Sequence, residues 1–204
     1  GLKFFTKDGG LEKADITEIL DFAARKEFSA AAQPGKVQSL DLIRIYAADL
    51  VSKIRKATGE ERPLSGFKIV VDAGNGAGGF FAEKVLQPLG ALTDGSQFLD
   101  PDGMFPNHIP NPEDSQAMAA IQKAVLEQKA DFGIIFDTDV DRAGAVDCHG
   151  REINRNRIIA LISAIAIEEH PGATIVTDSI TSSGLNKFIE DDLGGVHHRF
   201  KRGY

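Results

Sequence analysis

Short apolar runs that end in glycine-rich or acidic turns, separated by stretches with helical spacing, constrain this chain more than any other feature. "FKIVVDAGNGAGG" runs an apolar strand into a glycine-rich turn, "FGIIFDTDVDR" runs a second into three alternating aspartates, and "ATIVTD" repeats the layout near the end. An apolar strand without polar alternation is buried on both faces. Strands that take turns with helices build βαβ units. The expected fold class is therefore α/β, with three-layer α/β/α domains on largely parallel mixed sheets.

The helices can be placed from caps and periodicity. Asp15, with Glu18 three residues later, reads as the cap of "DITEILDFAAR". "SLDLIRIYAADLVSKIRKA" is expected to begin on Ser39 and to carry Leu42, Ile43, Tyr46, Leu50 and Ile54 on one face. "FFAEKVLQPLG", residues 115–128, "RNRIIALISAIAIEE" and "SSGLNKFIEDD" read as further helices, and "AGAVDCHGREI" as a hairpin turning at His149-Gly150. "TGEERPLSG", polar and broken by Pro63, reads as a linker and predicts a boundary near residue 60.

Bulk properties exclude several classes. The 204 residues are 42% hydrophobic and 26% charged, enough for globular cores. A net charge of -7 argues against partnership with nucleic acid or an anionic membrane surface. The single cysteine, Cys148, points to a reducing compartment, and the expected location is the cytoplasm. No apolar run is long enough for a membrane-spanning helix. A chain that opens without methionine and stops on the basic run "HHRFKRGY" is expected to be a piece of a longer protein.

Three loops carry chemistry. Gly74, Gly76 and Gly79 satisfy GxGxxG, but Asp72 places a carboxylate where a pyrophosphate would approach, so tight packing is the plainer reading. Asp137, Asp139 and Asp141 alternate, and an extended loop would aim all three to one side, a hard oxygen set that suits Mg²⁺ or Ca²⁺. An EF-hand needs glycine and glutamate where this chain has Arg142 and Cys148. "IIFDTDV" also fits a haloacid dehalogenase-like phosphatase, with Asp137 as nucleophile and Asp139 as general acid/base. A non-catalytic metal- or nucleotide-binding module is a third possibility. His108 in "PNHIP" is expected to be structural, His197 and His198 have no evident partner, and Cys148 sits at a hairpin tip.

Five stretches together resemble the α-D-phosphohexomutases, the family of phosphoglucomutase and phosphomannomutase. "DTDVDR" is similar to that family's DGDGDR metal loop, with Thr138 and Val140 in place of glycines. "KIVVDAGNGAGG" resembles the opening of its second domain, "DGMFPNHIPNPE" its proline-rich loop, and "GLKFFTKDGG" the segment after its serine loop. The closing "HHRFKRGY" is similar to a third-domain loop that reads the sugar and its phosphate. The resemblance implies interconversion of hexose 1- and 6-phosphates of glucose or mannose through a phosphoserine and a bisphosphate intermediate. It implies Mg²⁺ on Asp137, Asp139 and Asp141, Arg142 as a catalytic phosphate clamp, and Arg199, Lys201, Arg202 and Gly203 as substrate contacts. No serine here is followed by His-Asn, as the catalytic serine of the family is. Residues 1–60 are then expected to be the C-terminal part of domain 1, 61–155 domain 2, and 156–204 the start of domain 3. The chain alone is expected to be inactive, its partners being a hexose phosphate and the remaining domains of a parent enzyme.

Overall fold

The structure, a computed structural model, describes residues 4–26, 28, 29, 33 and 35–201. It divides into two compact units, residues 1–40 and 41–204. The first holds a small antiparallel pair, β1 (Phe5–Thr6) with β2 (Gly9–Gly10), and α1 (Lys13–Arg25). The helix starts before Asp15: Glu12 is the cap, and the Asp15 carboxylate reaches back to accept its N–H at 3.0 Å. An acid three residues past a cap does this as readily as it caps, so the sequence pattern was offset by one half of a capping box.

The second unit begins with α2 (Leu42–Thr58), capped not by Ser39 but by Asp41, whose carboxylate accepts from the Arg44 N–H at 3.1 Å. Of the expected stripe only Leu50 and Ile54 are covered; with Ala47 and Val51, outside that stripe, they pack on Val85 and Leu89, while Leu42, Ile43 and Tyr46 lie exposed. The stretch after α2 is not a free linker. Arg55 donates to the Glu61 and Pro88 carbonyls at 2.8 and 3.0 Å, and Leu64 N–H donates to Leu89 at 2.9 Å. The compact units divide at residue 40/41.

The central sheet has the order β3-β4-β5: β3 (Ile69–Asp72) pairs parallel with β4 (Phe132–Phe136), which pairs antiparallel with β5 (Ala143–Asp147). On one face α3 (Ser115–Gln128) brings Ala117, Met118, Ile121 and Val125 against Val70, Ile135 and Val146. On the other, Ile69, Val71 and Phe136 meet Ala82 and Leu86, so the sheet is covered on both sides as its apolar strands require. The "FFAEKVLQPLG" segment is not a regular α-helix. A 3₁₀ turn (Ala77–Gly79) leads into it, and it is built on a π turn (Ala82–Leu86), closed by Gln87 N–H to the Ala82 carbonyl at 3.1 Å just before Pro88. The hairpin expected at His149-Gly150 is a short one: Asp147 N–H donates to the Arg151 carbonyl at 2.9 Å and Ile153 N–H to that of Ala145 at 2.8 Å around a turn with Gly150 at φ 72°.

Beyond it, α4 (Arg155–Glu169), β6 (Thr174–Asp178), α5 (Ser183–Lys187), a π turn (Phe188–Asp192) and β7 (Val196–Phe200) follow. β6 and β7 pair in parallel around a small core of Ile167, Leu185 and Ile189. No helix among the described residues is long and apolar enough to cross a membrane.

Candidate functional site

β3 and β4 run side by side; β3 ends in Asp72 and β4 runs straight into Asp137, at the carboxyl edge where ligands gather in open α/β sheets. From β4 the chain enters the aspartate loop, residues 137–142, and returns as β5. The loop is a turn rather than an extended segment. Val140 N–H donates weakly to the Asp137 carbonyl at 3.4 Å, Asp137 N–H to the Arg142 carbonyl at 3.2 Å, and Val140 adopts φ 64°. The convergence of the aspartates therefore comes from chain reversal, not from strand alternation. One oxygen from each of Asp137, Asp139 and Asp141 lies within 4.8 Å of the others. Asp137 is 2% exposed, whereas Asp139 and Asp141 face solvent.

Arg142 closes the turn onto Asp137. Its backbone N–H donates to Asp137 Oδ1 and its Nε to Oδ2, both at 3.0 Å, and Nη1 donates to Asn111 Oδ1 at 3.1 Å. Burial pushes the Asp137 carboxyl up, but hydrogen bonds from the Arg142 backbone, from Asp141 and from the guanidinium outweigh it and hold it below the usual range. Asp141 is held above that range by sharing a hydrogen bond with Asp137 and by repulsion from Asp137 and Asp139. Arg142 is raised, chiefly by its bond to Asp137. Three carboxylates against one guanidinium leave an excess of negative charge, and hard oxygen donors so grouped suit a divalent cation such as magnesium.

The glycine-rich turn after β3 packs against this loop. A Cβ on Gly76 would lie 2.7 Å from the Thr138 carbonyl oxygen, and Ala77 N–H donates to that oxygen at 2.9 Å. Asp72, just before these glycines, is fully buried and accepts from Gly74 N–H at 2.9 Å, Gln97 Nε2 at 2.7 Å and His108 Nε2 at 3.1 Å. The glycines serve close packing, as the plainer sequence reading had it.

A family model for the second, α/β/α domain of phosphoglucomutase/phosphomannomutase matches residues 44–150, just over half the chain. The chain belongs to the phosphoglucomutase/phosphomannomutase family. Similar curated proteins include a phosphoglucomutase of Neisseria meningitidis, 31% identical over 95% of this chain and 40% of its own length. A phosphomannomutase of Salmonella typhimurium is 40% identical over 87% of this chain and 38% of its own. Among solved structures, a phosphoglucomutase/phosphomannomutase family protein of Burkholderia thailandensis superposes with a TM-score of 0.74 at 27% identity, covering 95% of this chain and 40% of that one. The chain thus spans about two fifths of the length of these relatives.

The family's remaining sequence-expected residues are more scattered. Arg199 lies on β7 and Lys201 just after it, both exposed and in a different sheet from the aspartate loop. Arg202 and Gly203 fall outside the described residues. His197 does have partners: its ring bonds Thr177 Oγ1 at 2.8 Å and Asn186 Oδ1 at 2.7 Å, inside the β6–β7 layer. Cys148 is exposed, its Sγ 3.3 Å from His149 Nδ1. Beside Arg142 a cleft of about 260 Å³ is lined in part by Pro112, Glu113, Arg155 and Asp178, with Arg155 paired to Glu113 at 2.8 Å. Sequence reasoning missed Asn111 and Gln97; the only signal for Asn111 was its place between two prolines.

Proposed function

We infer that this chain supplies the metal loop of a Mg²⁺-dependent phosphohexomutase that interconverts hexose 1-phosphates and 6-phosphates of glucose or mannose. The observation that carries the reading is the convergence of Asp137, Asp139 and Asp141 within 4.8 Å beside Arg142, in a chain of this family. Magnesium would be held by these three carboxylates and would neutralise charge during phosphoryl transfer. Phosphoryl transfer asks the protein for alignment and positive charge rather than covalent chemistry, and Arg142 offers a planar donor fork for phosphate oxygens. Arg199, Lys201, Arg202 and Gly203 are proposed to contact the hexose phosphate. The phosphoserine and the rest of the substrate cleft would come from other domains, with residues 156–204 opening the third. The cytoplasm is the proposed compartment, on the grounds that the single cysteine has no partner for an internal disulfide.

The test is conversion of glucose 1-phosphate to glucose 6-phosphate in the presence of a bisphosphate activator. The 204-residue chain should not turn over. A chain extended to carry the serine loop should, and Asp139→Asn in it should abolish activity. Robust turnover by the short chain, or full activity in the Asp139→Asn variant, would refute the reading.

A further inference from the structure

The geometry points to Asn111 as a positioning residue for the Arg142 guanidinium, so that the proline-rich loop sets where Arg142 presents its charge to a phosphoryl group. This rests on the phosphoryl-transfer reading above. Asn111 Oδ1 accepts two hydrogen bonds at 3.1 Å, from Arg142 Nη1 and from the Glu113 backbone N–H. Both partners only donate, so the amide oxygen, not its NH₂, must face them. Arg142 Nε is meanwhile bonded to Asp137. The guanidinium is therefore gripped at two points by acceptors from two different loops, which fixes the plane of the fork while its other N–H groups stay open to a phosphate oxyanion. Its side chain is 52% exposed, so a ligand can reach it.

Asn111 can act this way because its backbone is clamped on both sides. Pro110 is buried against Gly74, where an added Cβ would come within 2.7 Å of it, and Pro112 lies against Gly144, where one would come within 3.1 Å. Proline fixes φ at each flank. Asn111 N–H donates to the Ile109 carbonyl at 2.8 Å, and its own carbonyl accepts from Asp114 N–H at 2.9 Å. One step back, His108 anchors the loop through Asp72 on one ring nitrogen and the Ile109 carbonyl, at 3.0 Å, on the other. A side chain on so constrained a backbone is pre-organised, and holding the clamp ready costs nothing further at the moment of transfer.

The experiment is nitrogen-15 spectroscopy of the arginine guanidinium groups in the 204-residue chain without phosphate. Asn111→Ala should speed rotation of the Arg142 Nη groups about tenfold, the loss of one charge-assisted hydrogen bond. Asn111→Asp keeps the acceptor and should keep rotation slow. A rate unchanged by Ala, or raised equally by Ala and Asp, overturns the proposal. A second arm titrates inorganic phosphate into the same chain with Mg²⁺ present. Asn111→Ala should weaken phosphate binding in the parent background and have no further effect in Arg142→Ala, the non-additivity expected of residues acting as one unit. Equal losses in both backgrounds overturn it. If Arg142→Ala alone leaves phosphate binding unchanged, it is the phosphate-clamp reading that fails, and the guanidinium spectra still decide the role of Asn111.

Discussion

Two neighbouring parallel strands lead to aspartates that meet opposite fates. At the end of β3, Asp72 is fully buried and wrapped by donors from the backbone, Gln97 and His108. At the end of β4, Asp137 is nearly as buried, but it stands with two further carboxylates and one arginine. Residue type and topological position are the same; the supply of donors differs. Where donors match acceptors the carboxylate is a structural pin, and where acceptors outnumber donors the loop is left with charge that a cation can satisfy. Burial alone would have ranked Asp72 as the more suspicious residue, and donor accounting reverses the ranking.

The contrast can be broken first at Asp72. Asp72→Ala leaves His108 and Gln97 without their buried acceptor, and thermal or denaturant unfolding should show a loss of about 3 kcal/mol or more. A loss under about 1 kcal/mol would mean Asp72 is no pin. Gly76→Ala strikes the contact between the two turns, since its Cβ would press on the Thr138 carbonyl. It should cost roughly 1–3 kcal/mol by overpacking and weaken Mg²⁺ binding measured by calorimetry. Unchanged metal affinity would uncouple the two loops.

Val140→Gly sharpens the comparison from the other side. A β-branched residue at φ 64° is strained, so glycine should stabilise the chain by about 1 kcal/mol even after its own entropic cost. Destabilisation would show that Val140's packing against the Ile69–Phe136 core outweighs its backbone. The smallest effect is in pH. Asp137 sits below its ordinary value, so the stability it contributes is present above the unfolded carboxylate pKa and lost as pH falls through its folded value. Asp141 sits above, so its charge opposes folding at neutral pH and that opposition is relieved as pH falls through its raised value. Metal-free melts should therefore rise slightly on mild acidification before falling, and Asp141→Asn should remove the rise. Mg²⁺ binding should weaken across the same window as protons displace the metal, and pH-independent binding there would contradict the assignment of Asp141.

Much of this was legible because two signals were strong. Continuous apolar strands announced a sheet covered on both faces, and the DxDxDR spacing announced the acidic loop. What escaped depended on long-range partners. The offset starts of α1 and α2 came from acids that satisfy backbone N–H groups from either side of a cap. The segment after α2 looked like a linker because its composition is polar, yet Arg55 ties it down through carbonyl groups that no local pattern reveals. Asn111 was invisible for the same reason: its partner, Arg142, lies 31 positions away. The antiparallel β4–β5 pair leaves little local trace, because the reversal between the strands is spelled by acids rather than by a glycine-containing hairpin turn.

That reversal has a consequence for how such loops tolerate change. The span from Asp137 to Arg142 closes a ladder whose last rung is Phe136 against Ala143, so its ends are set before its letters are. Val140 bends into a left-handed shape it does not favour because the ladder acts as a mould. Inserting or deleting a single residue inside the mould would shift the rung and swing every carboxylate off its neighbours, whereas a substitution that spares the three acids and Arg142 leaves the ends in place. The length of this loop therefore decides where its acids stand.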